Sequence, residues 1–246
     1  MVDRTVGVIP ARWDSSRFPG KPLHLIAGKF LVQHVWERCQ ECSQLGKVVI
    51  ATDDQRIYDA AEKFGAAVVM TSKDHLTGTD RIAEAVKSLP DADYIINIQG
   101  DEPLIDPVLI DELAQALHHD DGISMATAAN PMSPEADYES IHDSNVVKCV
   151  LSLNKEALYF SRSPIPFCRN KDSKLVYYRH KGIYAYRRDF LDQFITWQPS
   201  PLEIAESLEQ LRAIENNSRI KVLITNDTSP GVDTLEQAQA IENLLQ

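Results

Sequence analysis

Up to about residue 130 the chain alternates short β-branched apolar runs with segments of helical period, and that rhythm leaves few folds open. The runs at 6–9, 48–51, 67–70, 94–98 and 123–129 have strand length, and the segments at 31–44, 55–64, 81–89 and 108–117 space their apolar residues for one helix face. Strand, helix, strand in succession is the βαβ unit, so a mostly parallel sheet flanked by helices is expected. Local chemistry agrees at the boundaries. Asp53-Asp54 offers an N-cap carboxylate before Gln55, Gly65 can stop a helix after Phe64, and Pro107 suits a first helical turn.

Beyond residue 130 the rhythm changes, with Pro131, Pro134, Pro164, Pro166, Pro199 and Pro201 punctuating shorter segments. Strands are expected at 146–153, 177–186 and 222–224, and helices at 188–196, 204–216 and 234–245. The expected organisation is an α/β core over 1–130, an appended smaller lobe over 131–216, and a return to the core over 217–246.

Thirty-six acidic and twenty-five basic side chains leave a formal charge of −11, which repels nucleic acid phosphates and anionic membranes. Neither nucleic acid nor membrane is an expected partner. The deficit is uneven, however. Residues 1–30 carry a local +3 and residues 162–188 a local +7, two basic islands that could meet a small anionic ligand. No run approaches the roughly 18 apolar residues of a membrane span, and Met1-Val2-Asp3-Arg4 opens without a signal-peptide pattern, so a cytoplasmic location is expected. Cys39 and Cys42 lie in a helical stretch with no second pair to complete a zinc site, and free thiols are the expectation for all four cysteines.

In open parallel sheets, ligands sit beyond the carboxyl ends of the strands. After the first strand comes Pro10-Ala11-Arg12-Trp13-Asp14-Ser15-Ser16-Arg17-Phe18-Pro19-Gly20-Lys21-Pro22, which fits neither a Walker A loop nor a dinucleotide fingerprint. Its three cations, hydroxyls and loop amides are the parts that hold a polyphosphate. Asn97-Ile98-Gln99-Gly100-Asp101 puts a carboxylate at a strand's carboxyl end, where α/β nucleotide enzymes place a magnesium ligand. Asp233, in Gly231-Val232-Asp233-Thr234, reads either as a second such ligand or as the cap of the last helix. Thr71-Ser72 and the stretch from His75 to Arg81 suit a nucleobase edge, although Thr79 or Asp80 could equally cap a helix. His180, beside Arg162 and Tyr184, could grip a carboxylate or sugar hydroxyls. Glu209 and Gln210 lie off the Ile204/Leu208/Leu211 stripe, which predicts solvent exposure.

Taken in order, Ile9-Pro10-Ala11-Arg12, Phe18-Pro19-Gly20-Lys21-Pro22-Leu23, Ala51-Thr52-Asp53-Asp54, Gly78-Thr79-Asp80-Arg81, Gln99-Gly100-Asp101-Glu102-Pro103, Tyr159-Phe160-Ser161-Arg162, His180-Lys181-Gly182-Ile183-Tyr184, Leu208-Glu209-Gln210-Leu211-Arg212 and Gly231-Val232-Asp233-Thr234 resemble the 3-deoxy-manno-octulosonate cytidylyltransferases. These are the CMP-Kdo synthetases of lipopolysaccharide synthesis. The resemblance implies a Rossmann-like fold of the nucleotide-diphospho-sugar transferase type, whose appended lobe serves dimerisation and sugar binding. It implies transfer of CMP from CTP to 3-deoxy-D-manno-octulosonate (Kdo), with Mg²⁺ as cofactor and a homodimer as the assembly. Arg12, Arg17 and Lys21 are then expected on the triphosphate, and Ala11, Thr71, Ser72, Gly78, Arg81 and Gln99 around the nucleotide. Asp101 and Asp233 are expected to hold the metal. Gln99, Arg162, His180, Tyr184, Glu209 and Gln210 are expected to line the sugar pocket, while Arg169, Lys171, Lys174 and Arg188 receive no role. Alternatives in view are a cytidylyltransferase for another acidic sugar, such as a sialic acid, and a non-catalytic nucleotide-binding module; Lys21, Asp101 and Asp233 together argue against the latter.

Overall fold

A computed structural model describes residues 1–14, 18–170 and 174–245. In chain order the elements are β1 (Thr5–Ala11), β2 (Leu25–Ile26), β3 (Lys29–Phe30), α1 (Leu31–Gln40), β4 (Lys47–Thr52), α2 (Gln55–Lys63), β5 (Ala67–Met70), α3 (Gly78–Lys87), β6 (Tyr94–Asn97) and α4 (Pro107–His119). Then follow β7 (Met125–Met132), α5 (Tyr138–His142), β8 (Lys148–Leu151), β9 (Ala157–Ser161), β10 (Tyr177–Arg187), α6 (Arg188–Phe194), α7 (Pro201–Glu206), α8 (Leu211–Glu215), β11 (Ile220–Ile224) and α9 (Leu235–Leu245). They form two compact units, Met1–Gln115 with Asp227–Gln246, and Ala116–Asn226.

In the first unit β1 pairs in parallel with both β4 and β6, and β4 pairs in parallel with β5. The uninterrupted apolar runs follow from burial on both faces. Val8, Ile9, Ile50, Ile95 and Ile96 are inaccessible to solvent, as are Ile57 and Ala61 of α2 and Ile82 and Ala85 of α3. Asp54 caps α2, its carboxylate accepting from Arg56 N at 2.9 Å. The cap of α3 is neither Thr79 nor Asp80 but Thr77, whose Oγ1 accepts from Asp80 N at 3.1 Å, so this helix begins earlier than its apolar periodicity predicts. A satellite core of Phe18, Ile26, Leu31, Val232, Ala238 and Ile241 packs α9 against the segment that follows β1.

The second unit is built on β7, which pairs antiparallel with β10 and parallel with β11. These two pairings explain why β7 belongs to this unit. β8 forms a hairpin with β9 and touches β10 at Arg179. The single helix expected over 204–216 is two helices, broken at Ser207, which adopts a left-handed conformation (φ +51°). Tertiary bonds account for the break, because the Glu206 carboxylate accepts from Ser161 Oγ at 2.6 Å and Arg162 N at 3.0 Å at the end of β9. No helix among the described residues is long and apolar enough to cross a membrane.

Candidate active site

Three segments of the first unit converge at the carboxyl end of its sheet. Gly20 precedes the 3₁₀ turn Lys21–Leu23 with φ +70°, and a Cβ there would also meet the Trp13 indole at 3.0 Å. Its N–H donates to Trp13 O at 3.0 Å, which draws Lys21 back towards the end of β1. After β6, Gly100 lies so close to β1 that a Cβ would stand 2.8 Å from the Pro10 carbonyl oxygen. That approach carries Asp101 to Lys21. The third segment is tied on by Val232 N, which donates to Asp101 O at 2.8 Å.

Lys21 Nζ donates to Asp101 Oδ2 at 2.6 Å and to Asp233 Oδ1 at 3.1 Å. The neighbours of Asp233 supply the cap of the last helix. Thr234 Oγ1 accepts from Gln237 N at 3.3 Å, while Gln237 Oε1 accepts from the backbone of Asp233 and Thr234 at 2.6 and 3.1 Å. This reciprocal pair caps α9 and lets the Asp233 carboxylate turn to Lys21. With Ala11, Arg12, Gly78 and Gln99, these side chains line an open cleft of about 420 Å³.

Two carboxylates aimed at one cationic point suit a hard divalent ion. No group of three or more His, Cys, Asp or Glu that could hold a metal occurs among the described residues. A pair suffices for Mg²⁺, which typically takes one or two carboxylates and completes its octahedron with waters and substrate phosphates. The donor set therefore fits magnesium better than a metal that needs an all-protein cage.

Beside the cleft, Arg12 Nη1 donates to Leu76 O at 3.3 Å, and burial, then the neighbouring Arg81, lowers the Arg12 pKa. Arg81 is fully buried and is not among the cleft's lining residues. Its Nη2 donates to Asp53 Oδ2 and its Nη1 to Thr71 Oγ1, both at 2.6 Å. Ser72 N donates to Glu84, whose carboxylate also meets His75. Arg81 thus holds the 71–72 loop from behind. Arg17 lies outside the described residues.

The remaining candidates sit in the second unit. His180 Nε2 is 3.0 Å from Thr127 Oγ1, and its ring packs against Phe160 and Tyr184 at centroid distances of 4.9 and 5.4 Å. Burial raises the Tyr184 pKa well above its usual value, and Glu209 adds to the shift. Arg162 donates from Nε, Nη1 and Nη2 to the carbonyls of Glu206, Ser144 and Ser207. Glu209 and Gln210 do not stand out in solvent as their place off the apolar stripe predicts. They occupy the turn between α7 and α8, Glu209 half-buried and Gln210 only 5% exposed. The break at Ser207 turns them inward.

Sequence reasoning passed over Asp53, Thr127 and Lys148. Asp53 stands in the quoted Ala51-Thr52-Asp53-Asp54 motif, where a capping role hid its pairing with Arg81. Lys148 is fully buried, and its Nζ donates to the carbonyls of Asp143, Val146 and Arg162. A lysine in a strand run carries no signal of that use.

Residues 6–220 match the family model described as "Cytidylyltransferase". With a parallel α/β sheet and a cleft of cations and paired carboxylates at its carboxyl edge, this defines the class as a nucleotidyltransferase. The chain is 49% identical over 244 residues to a 3-deoxy-manno-octulosonate cytidylyltransferase of Solibacter usitatus (strain Ellin6076), covering 99% of this chain and 95% of the relative. It is 50% identical to that of Geobacter sulfurreducens (strain ATCC 51573 / DSM 12127 / PCA), covering 92% and 93%. A solved CMP:2-keto-3-deoxy-manno-octonic acid synthetase complexed with CTP superposes with a TM-score of 0.93 at 42% identity, covering 98% of each chain. The chain belongs to the 3-deoxy-manno-octulosonate cytidylyltransferase family.

Proposed function

We propose that the protein transfers CMP from CTP to the anomeric 2-hydroxyl of Kdo, giving CMP-Kdo and pyrophosphate for lipopolysaccharide synthesis. The observation that carries this is the Lys21–Asp101–Asp233 cluster in a cleft rimmed by Arg12 and Gln99, in a chain near half identical to relatives bearing that enzyme's name. Nucleotidyl transfer asks a protein chiefly for alignment and for neutralisation of phosphate charge. Arg12 and Lys21 supply fixed cations along the triphosphate and its departing pyrophosphate, and Arg17 holds the tail. Ala11, Thr71, Ser72, Gly78 and Gln99 surround the nucleotide, with Arg81 bracing the loop that carries Thr71 and Ser72. Arg162, His180, Tyr184, Glu209 and Gln210 receive the sugar acid.

Asp101 and Asp233 hold Mg²⁺, which when bound neutralises phosphate charge and makes the attacking hydroxyl more acidic. The same reading puts the reaction in the cytoplasm and in a homodimer. Leu153, Leu158, Phe167 and Ile204 are exposed apolar side chains of the second unit that a second copy would remove from water.

Pyrophosphate release decides the proposal when measured with each nucleoside triphosphate in turn, with and without Kdo and Mg²⁺. Release that needs CTP, Kdo and Mg²⁺ together is expected. No release from that mixture overturns it, and release with a sialic acid in place of Kdo reassigns the acceptor.

A further inference from the structure

Thr127 lies in the middle of β7, fully buried, where the β7–β10 ladder is irregular. The register passes from Ala128 opposite Lys181 to Thr127 opposite Tyr184, one residue along β7 against three along β10. Such a bulge bends the strand and re-aims the side chains beside it. Here it brings two carbonyls onto one hydroxyl, Thr127 Oγ1 standing 2.7 Å from Ile183 O and 3.1 Å from Lys181 O. His180 Nε2 is the third neighbour, at 3.0 Å.

A hydroxyl has one hydrogen. Two oxygens 2.7 Å apart repel unless a proton lies between them, so the Thr127 hydrogen goes to the bulge carbonyls and its lone pairs are left for the imidazole. Nε2 must then be the protonated nitrogen. The ring carries a single proton over the ordinary pH range, because burial pushes the His180 pKa down to about 3. Nδ1 is therefore a bare lone pair, and no hydrogen-bond donor meets it among the described residues.

We infer that Thr127 is a positioning residue that fixes His180 as the Nε2–H tautomer and leaves Nδ1 to accept a hydrogen bond from a hydroxyl of the sugar acid. This rests on the proposed place of His180 in the sugar pocket. It also chooses between the two groups that His180 could grip, since a carboxylate has no hydrogen to give a bare Nδ1. The ring reads the polyol part of the substrate, and the acid group must be met elsewhere.

The test combines side-chain ¹⁵N spectra of histidine-labelled protein with steady-state kinetics on the wild type and on Thr127→Val, Thr127→Ser and His180→Ala. The His180 resonances are assigned by their loss in His180→Ala. The wild type and Thr127→Ser should show a pyrrole-type Nε2 and a pyridine-type Nδ1. Thr127→Val should lose that preference and raise KM for Kdo about tenfold, the scale of one misdirected hydrogen bond, with KM for CTP unchanged. A wild-type spectrum with the proton on Nδ1 overturns the inference, even if Thr127→Val fails to fold. So does a folded Thr127→Val with unaltered KM for Kdo. If instead His180→Ala binds Kdo as the wild type does, the place of His180 in the pocket fails, whatever the tautomer.

Discussion

Lys21 Nζ stands 2.6 Å from Asp101 Oδ2, closer than the 3.1 Å to Asp233 Oδ1. The ammonium holds the counter-charge position between Asp101 and Asp233 that a divalent ion would share, and it projects from the loop proposed for the triphosphate. Removing it should therefore act twice. Lys21→Met leaves two carboxylates facing each other, so the variant should melt lower than the wild type without Mg²⁺ and gain more in Tm when Mg²⁺ is added. Its kcat should fall by about 10²–10³, as for loss of one preorganised charge partner, with a smaller rise in KM for Kdo. A variant whose KM rises while kcat holds would move Lys21 out of the transition state.

Asp233 and Thr234 are adjacent but have separable tasks, because Thr234 and Gln237 cap α9 while the Asp233 carboxylate turns to Lys21. Thr234→Ala should cost about 1 kcal/mol of stability, the usual worth of an N-cap, and leave the Mg²⁺ concentration for half-maximal rate unchanged. Asp233→Asn should do the opposite, keeping stability near the wild type and raising the Mg²⁺ requirement. Urea melts and Mg²⁺ titrations of pyrophosphate release on both variants check the pair. Wild-type Mg²⁺ dependence in Asp233→Asn would end its assignment as a ligand.

The buried Arg81 depends on Asp53, whose side chain is itself only 14% exposed. Taking one partner from a buried pair leaves an uncompensated charge, so Asp53→Asn should destabilise the protein by about 3–5 kcal/mol. Arg81→Lys should not rescue function, because a point ammonium cannot serve Asp53 and Thr71 as the guanidinium fork does. In kinetics the expected effect is a raised KM for CTP with KM for Kdo unmoved. Denaturant melts and the two KM values measure these outcomes.

The α/β core was legible in the sequence because burial on both sheet faces writes continuous apolar runs, and the loop after β1 because cations cluster there against an acidic average. What stayed hidden depends on contacts far apart in the chain. Spacing at 204, 208 and 211 is helical whether or not Glu206 breaks the helix to reach Ser161, and only that break turns Gln210 inward. Thr127 reads as an ordinary strand former until the bulge opposite it is known. Arg81 carries a base-binding expectation in its motif, yet its burial makes it a brace.

His180 should also shape stability against pH. Its folded-state pKa is depressed to about 3 by burial, against about 6.5 in an unfolded chain. The stability it contributes is complete above pH 6.5 and is lost as pH falls from there towards 3, since only the unfolded state takes up the proton. One such group gives a slope of at most about 1.4 kcal/mol per pH unit. His118, its pKa also lowered by burial, adds in the same direction. Carboxylates with lowered pKa values, such as Glu84 under its bonds from Ser72 and His75, act further into acid. Urea melts between pH 7 and pH 5 should show His180→Asn with a shallower decline than the wild type. Parallel slopes would mean that the imidazole is freely protonated in the fold.

Gln210 is 5% exposed, and its Nε2 has no hydrogen-bond partner among the described residues. A buried amide donor left unmade costs about 1–3 kcal/mol, which a fold has no structural reason to keep. The proposed sugar pocket supplies one, since a ligand hydroxyl or carboxylate can accept from Nε2 and recover the cost on binding. Gln210→Met keeps the volume and removes the unmet donor, so the variant should be as stable as the wild type or more so. Its KM for Kdo should nonetheless rise by about tenfold, the scale of one hydrogen bond to substrate. Thermal melts and KM for Kdo test both halves. A destabilised Gln210→Met with wild-type KM would show that the amide serves the turn between α7 and α8 and not the substrate.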